Sequence, residues 1–332
     1  MVHLHWVGGF VSAQEVPRIG RPLVWTMHDM GEFTGGCRFT SDCTRFHDRC
    51  GCCPQLASSR ENDLSQRTLD RKLRLWSNAS ITPVATSAWM QGLARQSAVF
   101  GQRNIRRIPI GVPTEVFTPI PVETARARFN LPLDATVLLF GAASLDDPRK
   151  GFHLLCGALA SLPPACLQRL HLLAFGGGNS LALQKLPIPV HTLGYLRDEN
   201  ELRVAYSAAD AYVLPSLMDT LPSTVLESLA CGTPPIVCAG SGVVDAVQDG
   251  VAGFLAPEPT VPALTATIER LLALGNTERQ TMRTACRQRA ESEYTEARQA
   301  RQYLSLYREL LTHPRQNKSP SAATSQVNRR KS

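Results

Sequence analysis

Two carboxylates in the stretch SLMDTLPSTVLESLACGTP (216–234) have a type and a spacing that could bind a ligand. Asp219 follows an extended apolar run, and Glu227 lies eight residues later in a segment with helical spacing. Pro222 suits the first position of that helix because its missing N–H needs no partner there. Gly232 is typical of the residue that ends such a helix. The pattern predicts one acid before a short helix and a second acid on its second turn.

The start of this predicted helix offers an anion-binding site. Backbone N–H groups and the positive end of the helix dipole can hold a phosphate there. One carboxylate on each side would then accept hydrogen bonds from sugar hydroxyls, which is the layout of a nucleotide-sugar site. An ordinary capped helix with one solvent-exposed acid explains the same stretch equally well, so both interpretations stay open. The candidate donor-binding residues here are Thr220, Leu221, Pro222, Ser223 and Glu227.

A cysteine-rich loop provides a second candidate site. Five of the ten cysteines fall within 37–53, and four of them have the spacing C-x5-C-x6-C-x2-C. Four thiolates at short spacing can close a tetrahedral zinc site. Free thiols and disulfides are the alternatives, and the lack of an obvious secretion signal favours a reducing compartment over disulfides. The predicted ligands of this structural zinc are Cys37, Cys43, Cys50 and Cys53, with His47 and Cys52 as spare candidates.

Strand and helix signals alternate along nearly the whole chain. The apolar runs are continuous rather than alternating, which is typical of parallel strands covered on both faces. The sequence therefore predicts two doubly wound, Rossmann-like α/β domains, with ligands bound beyond the carboxyl ends of the strands. The predicted strands are 2–7, 22–29, 81–87, 104–112, 135–144, 170–178, 189–196, 211–216, 234–239 and 253–257.

Composition limits the class of protein. The chain has 332 residues, is 43% hydrophobic and carries a formal net charge of +7, with much of the basic excess in the tail 313–332. It has no apolar run long enough to span a bilayer and no nucleic-acid-binding motif. A basic balance of this kind favours weak association with anionic lipid or an acidic substrate. We expect a cytoplasmic protein that is either free or held peripherally at the inner face of the plasma membrane.

Several motifs together resemble the group 1 (family 4) glycosyltransferases of GT-B fold, which are two-domain, retaining enzymes that use a nucleotide-diphosphate sugar. The stretch 219–227 with the following ACGTP resembles the family's E-x7-E signature. The motif KGF at 150–152 resembles its phosphate-binding lysine element, and 241–255 resembles the loop and strand that follow the signature. WTMHDMGEFTGGC (25–37) and CGCCPQL (50–56) are similar to a bacterial polysaccharide-assembly branch.

The resemblance implies a role for each donor-side residue. Lys150 would stabilise the charge of the leaving diphosphate, with Arg149 as a second cation or as a surface charge only. Asp219 would contact the transferred sugar, and Glu227 would accept hydrogen bonds from the ribose diol. His28 would line the cleft near the donor sugar, or else serve as a structural histidine bonded to a loop carbonyl. The glycines implied to let the backbone approach the donor, or simply to form turns, are Gly141, Gly176 and Gly177.

Two positions depart from the family pattern. Asp219 stands where the family usually has glutamate, so the carboxylate is one methylene shorter. Ala142 stands where family members often have an arginine, and Arg149 is the candidate to compensate for it. No Asp-x-Asp lies near the donor elements, so we expect catalysis without a metal or another cofactor. Members of this group are thought to react on one face of the sugar, with the leaving phosphate assisting the acceptor hydroxyl.

The domain organisation follows from the same resemblance. The first domain opens abruptly on a strand, so we expect it to be short of its usual N-terminal βα units. The resemblance implies transfer of a sugar to a lipid-linked or polysaccharide acceptor in envelope or exopolysaccharide biosynthesis. The alternative is a truncated remnant that binds the nucleotide sugar and transfers nothing. The predicted parts are a partial acceptor-side domain (1–117), a nucleotide-sugar-binding domain (118–292), a C-terminal helix packing back towards the first domain (293–312) and a disordered basic tail (313–332).

Overall fold

The computed structural model describes residues 1–178 and 181–312, and the predicted disordered tail lies outside the described residues. The chain divides into two compact units. The first unit comprises Met1–Val84, Leu93–Arg106 and, among the described residues, Leu306–Thr312, and the second unit comprises Ala85–Gly92 and Arg107–Ser305.

A four-stranded sheet has the order β1-β2-β3-β4, and β1 pairs in parallel with β2. All five residues of β2 and of β3 are buried, as the continuous apolar runs predict. The elements of this region are β1 (Val2–Leu4), β2 (Leu23–Met27), α1 (Leu64–Trp76), β3 (Ile81–Ala85), α2 (Ala88–Gln96) and β4 (Arg106–Arg107).

The strand predicted over 104–112 is wrong in length, because only two of its residues pair as β4. Pro109 has no N–H to donate, which interrupts a ladder after Ile108. Further along, Val112 donates its N–H to Tyr294 O at 2.7 Å instead of to a neighbouring strand. The segment from Arg107 onwards therefore belongs to the second unit, eleven residues earlier than the predicted start of the second domain at 118.

The second unit is built on a six-stranded sheet whose pairs are all parallel, with the order β10-β9-β8-β5-β6-β7. Its strands are β5 (Thr136–Ser144), β6 (Leu170–Gly177), β7 (Val190–Gly194), β8 (Ala211–Leu214), β9 (Pro235–Cys238) and β10 (Phe254–Ala256). Its helices are α3 (Val122–Arg128), α4 (Phe152–Ser161), α5 (Pro164–Leu167), α6 (Glu199–Ala208), α7 (Ser223–Ala230), α8 (Val261–Leu272), α9 (Asn276–Glu293) and the first part of α10 (Glu296–Thr312).

This strand order confirms the doubly wound prediction for the second unit. Counted within the unit, the order is 6-5-4-1-2-3, so the direction of winding reverses between β5 and β8. Helices pack in pairs against the sheet, with α4 on α8, α7 on α9 and α3 on α6. Strands β8 and β9 are buried along their whole length, and their side chains join one continuous core with those of β5 and β6.

The described chain ends in two consecutive helices, α9 and α10, with a break between them. The break falls at Tyr294, whose hydroxyl donates to Asp245 O at 2.7 Å while its carbonyl accepts from Val112. These two bonds fix the position of Tyr294 against Asp245 and Val112, and a continuous helix through Tyr294 would break them. The predicted helix 293–312 accordingly begins at Glu296, and its residues from Leu306 onwards belong to the first unit.

Candidate functional site

The reversal between β5 and β8 brings two loops of the second unit together at the carboxyl ends of the strands. Lys150 lies in the loop after β5 and Asp219 in the loop after β8. Lys150 Nζ donates to Asp219 Oδ2 at 2.5 Å, and the two side chains are 20% and 12% exposed. Ligands of doubly wound sheets bind at this topological position. Two residues that the sequence predicted to share one site therefore contact each other, and their binding of a ligand stays a prediction.

The loop that carries Lys150 is held in place by a capped turn and a glycine. Asp147 accepts from the Arg149 backbone N–H at 3.0 Å and from Arg149 Nη2 at 2.7 Å. Gly151 has a φ of 72°, and a Cβ there would lie 2.0 Å from Pro215 O. Only glycine lets the lysine loop pack directly against the loop after β8. Arg149 is engaged within its own turn, so its role towards a phosphate stays a prediction.

Two hydrogen bonds accepted by Asp219 hold the loop before α7 in place. The Thr220 N–H donates to Asp219 Oδ1 at 3.0 Å, and the Gly242 N–H donates to Asp219 O at 2.8 Å. A Cβ at Gly242 would lie 1.5 Å from Thr220 O, so glycine is required for this approach. Pro222 caps α7 rather than occupying its first turn, and without an N–H it shapes the turn but donates nothing. Leu221 is buried in the core, which leaves its backbone as the part available to a ligand.

Glu227 lies on the second turn of α7, as predicted, and it is already hydrogen-bonded within the protein. Tyr206 donates its hydroxyl to Glu227 Oε2 at 2.9 Å, and the Ser223 side chain also bonds to this carboxyl group. Burial raises the pKa of Glu227, and these two hydrogen bonds oppose the rise. A carboxylate has about four acceptor positions, so capacity for a ligand diol remains. Tyr206 orients Glu227, and sequence reasoning missed it.

Two of the three predicted glycines, Gly141 and Gly176, are required for close packing between neighbouring strands. Gly141 lies inside β5, which continues to Ser144, and a Cβ at Gly141 would lie 2.1 Å from the Phe175 ring. Gly176 has a φ of 142°, and a Cβ there would lie 2.2 Å from a carbonyl of β5. Gly177 ends β6 and is less crowded. Close approach of these glycines to a ligand stays a prediction.

Three buried hydroxyls of the second unit have no hydrogen-bond partner within the described part of the chain. They belong to Thr86, Ser216 and Ser241. Ser216 opens the loop that carries Asp219, and Ser241 precedes the glycine packed against that loop. Buried polar groups in native proteins almost always find a partner, often a bound ligand or water. These serines are candidate contacts that the sequence did not single out, since isolated serines carry no distinctive spacing.

His28 lies in the first unit, directly after β2, which ends at Met27. Its Nε2 lies 3.0 Å from His5 Nδ1, so one ring donates a hydrogen bond to the other. Desolvation by the surrounding protein, followed by the nearby His5, lowers the pKa of His28. The ring is therefore neutral at physiological pH and could bond a sugar hydroxyl. Its contact with the donor stays a prediction.

The four predicted zinc ligands line one pocket of about 330 Å³ in the first unit. The loop is fixed by Asp63, which accepts from the Cys53 N–H at 2.9 Å and caps α1, and by Gly51, whose N–H donates to Ser65 Oγ at 3.0 Å. All ten cysteines are free thiols. Within residues 1–178 and 181–312, no group of three or more histidine, cysteine or acidic side chains lies close enough together to hold a metal ion, these four cysteines included. Zinc at this loop stays a prediction.

We expect about one zinc ion per chain in protein purified without added chelator, because four thiolates in one pocket can replace the full coordination shell of the ion. Elemental analysis measures it. Cys43→Ser should lower the zinc content and the melting temperature, whereas Cys166→Ser, outside the loop, should change neither. Wild-type protein with little zinc and four thiols open to alkylation would contradict the site.

The comparisons with known proteins identify the family. The family model described as glycosyl transferases group 1 matches residues 122–291, which is just over half of the chain. The chain belongs to this family, and its two-unit α/β architecture is the GT-B fold. None of the helices in the described ranges combines the length and the apolar character that a bilayer crossing requires.

Curated relatives carry the name D-inositol 3-phosphate glycosyltransferase. The protein of Catenulispora acidiphila is 32% identical over 290 residues, which cover 82% of this chain and 63% of that protein. The protein of Acidothermus cellulolyticus is 28% identical over 293 residues, which cover 83% of this chain and 60% of that protein. The chain thus spans about three fifths of the length of these two relatives.

Solved structures match over most of the chain. Sucrose-phosphate synthase from Thermosynechococcus elongatus has a TM-score of 0.72 at 26% identity, covering 94% of this chain and 74% of that one. HepE from Anabaena, solved in complex with UDP and glucose, has a TM-score of 0.67 at 18% identity, covering 88% of this chain and 72% of that one. At 18% identity, the likeness to HepE shows a shared fold and nothing more.

Proposed function

We propose that this protein is a retaining glycosyltransferase that takes a sugar from a nucleoside-diphosphate sugar bound between the β5 and β8 loops. The observation that carries the proposal is the contact between Lys150 and Asp219 in the loop before α7, with Glu227 on the second turn of that helix. A cation, a helix N-terminus and two acids match the three parts of such a donor, which are the diphosphate, the sugar and the ribose.

The chemistry assigned to each group follows from charge. Breaking the glycosidic bond leaves about two negative charges on the diphosphate, and a cation and N–H donors already in place stabilise them as they develop. Lys150 supplies the cation, and the backbone before α7 supplies the donors. Asp219 accepts from the transferred sugar and Glu227 from the ribose diol. These groups act without a metal, and the leaving phosphate takes the proton of the acceptor hydroxyl.

The acceptor side of the proposal rests on the motif resemblance. The stretches 25–37 and 50–56 resemble a bacterial polysaccharide-assembly branch, which favours a lipid-linked or polysaccharide acceptor in envelope or exopolysaccharide biosynthesis. A protein of net charge +7 acting on such acceptors would work in the cytoplasm, at the inner face of the plasma membrane.

A panel of nucleotide sugars tests the proposal, first by thermal shift and then by release of the nucleoside diphosphate in the presence of glycan acceptors. One donor should raise the melting temperature and be consumed. A donor that binds with no turnover against any acceptor would support a binding protein instead of an enzyme. If no nucleotide sugar shifts the melting temperature, the donor site is wrong.

Glu227→Gln should weaken binding of every ligand that contains the ribose by about 1.5–3 kcal/mol, because a charge-assisted acceptor is lost. Titration calorimetry with the nucleoside diphosphate measures the change. The exposed Glu269→Gln on α8 removes the same charge outside the site and should leave the affinity unchanged. Equal affinities for wild type and Glu227→Gln would refute the ribose role.

A further inference from the structure

The first unit contains a second pocket, which we call the indole pocket, defined by Trp6, Trp25, Trp76, Asp29, Glu32 and Lys72. Its volume is about 330 Å³. It holds three of the four tryptophans of the chain. The Trp25 and Trp76 rings lie 5.2 Å apart, whereas Trp6 is 56% exposed and leaves one wall open to solvent. A small site that combines several indoles with a small number of charged groups is typical of ligand binding.

Glu32 is the unusual group of the indole pocket. The residue is 5% exposed, and its Oε2 has no hydrogen-bond partner among the described residues. Burial, with the nearby Asp29 as a second cause, raises the pKa of Glu32. A buried carboxyl oxygen without a partner is costly to the fold, so its presence needs an explanation.

The other charged groups of the pocket are already engaged. Asp29 accepts from the Gly31 N–H at 2.7 Å and from Arg38 Nε at 2.8 Å. Lys72 Nζ donates to Gly31 O and, at 2.9 Å, to Thr34 O. Lys72 therefore connects the backbone after β2 to α1. Of the pocket's two acids, Glu32 is the one with an oxygen available for a ligand.

The chemistry of this lining selects a neutral, hydroxyl-bearing ring. The C–H face of a sugar packs on indoles, and a hydroxyl of the same sugar bonds to a carboxyl group. An anionic sugar would meet the Asp29 carboxylate there, while the cations of the pocket, Arg38 and Lys72, are bonded to Asp29 and to backbone carbonyls. A neutral glycoside matches each of these features.

We propose that the indole pocket binds a neutral sugar ring of the acceptor, with Glu32 Oε2 bonded to one ring hydroxyl and Trp6 packed on the ring face. This inference rests on the proposed glycosyltransferase function. It goes further by excluding a charged ring at this position, although the relatives are named for an inositol phosphate.

Tryptophan fluorescence tests the proposal directly, since three of four indoles line the pocket. The probes are methyl glycosides of neutral hexoses, a methyl glucuronide, inositol 3-phosphate and choline. At least one neutral glycoside should change the emission and saturate, with the glucuronide, the inositol phosphate and choline binding at least tenfold more weakly. Tighter binding by choline or by either anion would overturn the assignment, as would no binding by any neutral glycoside.

Variants separate a binding role of Glu32 from a structural one. Glu32→Leu should weaken the neutral glycoside about tenfold or more while roughly keeping the melting temperature, because a buried carboxyl group with one unpartnered oxygen is removed together with its bond to Trp25. Glu32→Gln should retain most of the affinity, and Glu115→Gln, an exposed acid of the second unit, should be neutral. Trp6→Ala changes an exposed side chain, so it tests the same site should Glu32→Leu fail to fold. Unchanged glycoside affinity in Trp6→Ala or in a folded Glu32→Leu would overturn the proposal.

The same protein variants distinguish failure of the indole-pocket proposal from failure of the donor-site proposal. Calorimetry with the nucleoside diphosphate should give the same affinity for wild type, Glu32→Leu and Trp6→Ala. If glycosides bind and nucleotides do not, the proposed function fails and the indole pocket stands as a sugar site. If nucleotides bind and glycosides do not, the indole-pocket proposal alone is refuted.

Discussion

Lys150→Ala is expected to lower sugar-transfer turnover by about 10²–10³-fold, the usual cost of removing one group that stabilises charge developing in a transition state. Lys150 is the cation held at the crevice between β5 and β8, and its Nζ lies 2.5 Å from Asp219. Its removal takes a positive charge away from the leaving diphosphate and leaves the largely buried Asp219 carboxylate without its ion-pair partner. Both effects oppose departure of the diphosphate.

Steady-state kinetics with a saturating donor measures this loss as a fall in kcat. Lys185→Ala removes an exposed lysine of the same unit and should leave kcat within about twofold, since surface changes seldom exceed a few tenths of a kcal/mol. Lys150→Arg keeps the charge and should recover part of the activity. Turnover in Lys150→Ala equal to that of wild type would show that the diphosphate is stabilised elsewhere.

The meeting of Lys150 and Asp219 could be predicted from the sequence because parallel sheets obey simple geometry. Each residue follows a continuous apolar run, and the carboxyl ends of parallel strands lie at one edge of the sheet. Helical spacing likewise predicted the position of Glu227. The two glycines that bring the loops together, Gly151 and Gly242, lie inside the stretches that resemble the family, yet only the structure shows which carbonyls they approach.

Contacts that depend on how helices or loops pack were not predictable from one sequence. Tyr206 reaches Glu227 because α6 packs on α7, and nothing local distinguishes that tyrosine from a simple core residue. Trp6 and Trp76 line the same pocket from positions 70 residues apart in the chain, so no local pattern joins them. By contrast, the four cysteines predicted to bind zinc are close in sequence and line one pocket, while the zinc itself stays a prediction.

The donor site makes a further prediction that depends on the Lys150–Asp219 ion pair itself. Asp219→Asn keeps an oxygen that can accept from the Thr220 N–H, so the loop before α7 should hold its shape. The substitution removes the negative charge beside Lys150 and the anionic acceptor for the transferred sugar. The free nucleoside diphosphate should therefore bind as tightly as to wild type or more tightly, because Lys150 no longer has a competing partner.

The intact nucleotide sugar should respond in the opposite direction. It loses a charged acceptor for a sugar hydroxyl, which costs about 1.5–3 kcal/mol, or roughly tenfold to a hundredfold in affinity before any gain at the phosphates. Calorimetry with both ligands on wild type, Asp219→Asn and Lys150→Ala separates the two effects, since Lys150→Ala should weaken both ligands. An Asp219→Asn protein that loses the sugar-free diphosphate as strongly as the nucleotide sugar would place Asp219 on the phosphates. The ion pair would then be part of the phosphate site, and another group would have to accept the hydrogen bond from the sugar hydroxyl. The candidates would be the hydroxyls of Ser216 and Ser241, which have no hydrogen-bond partner among the described residues.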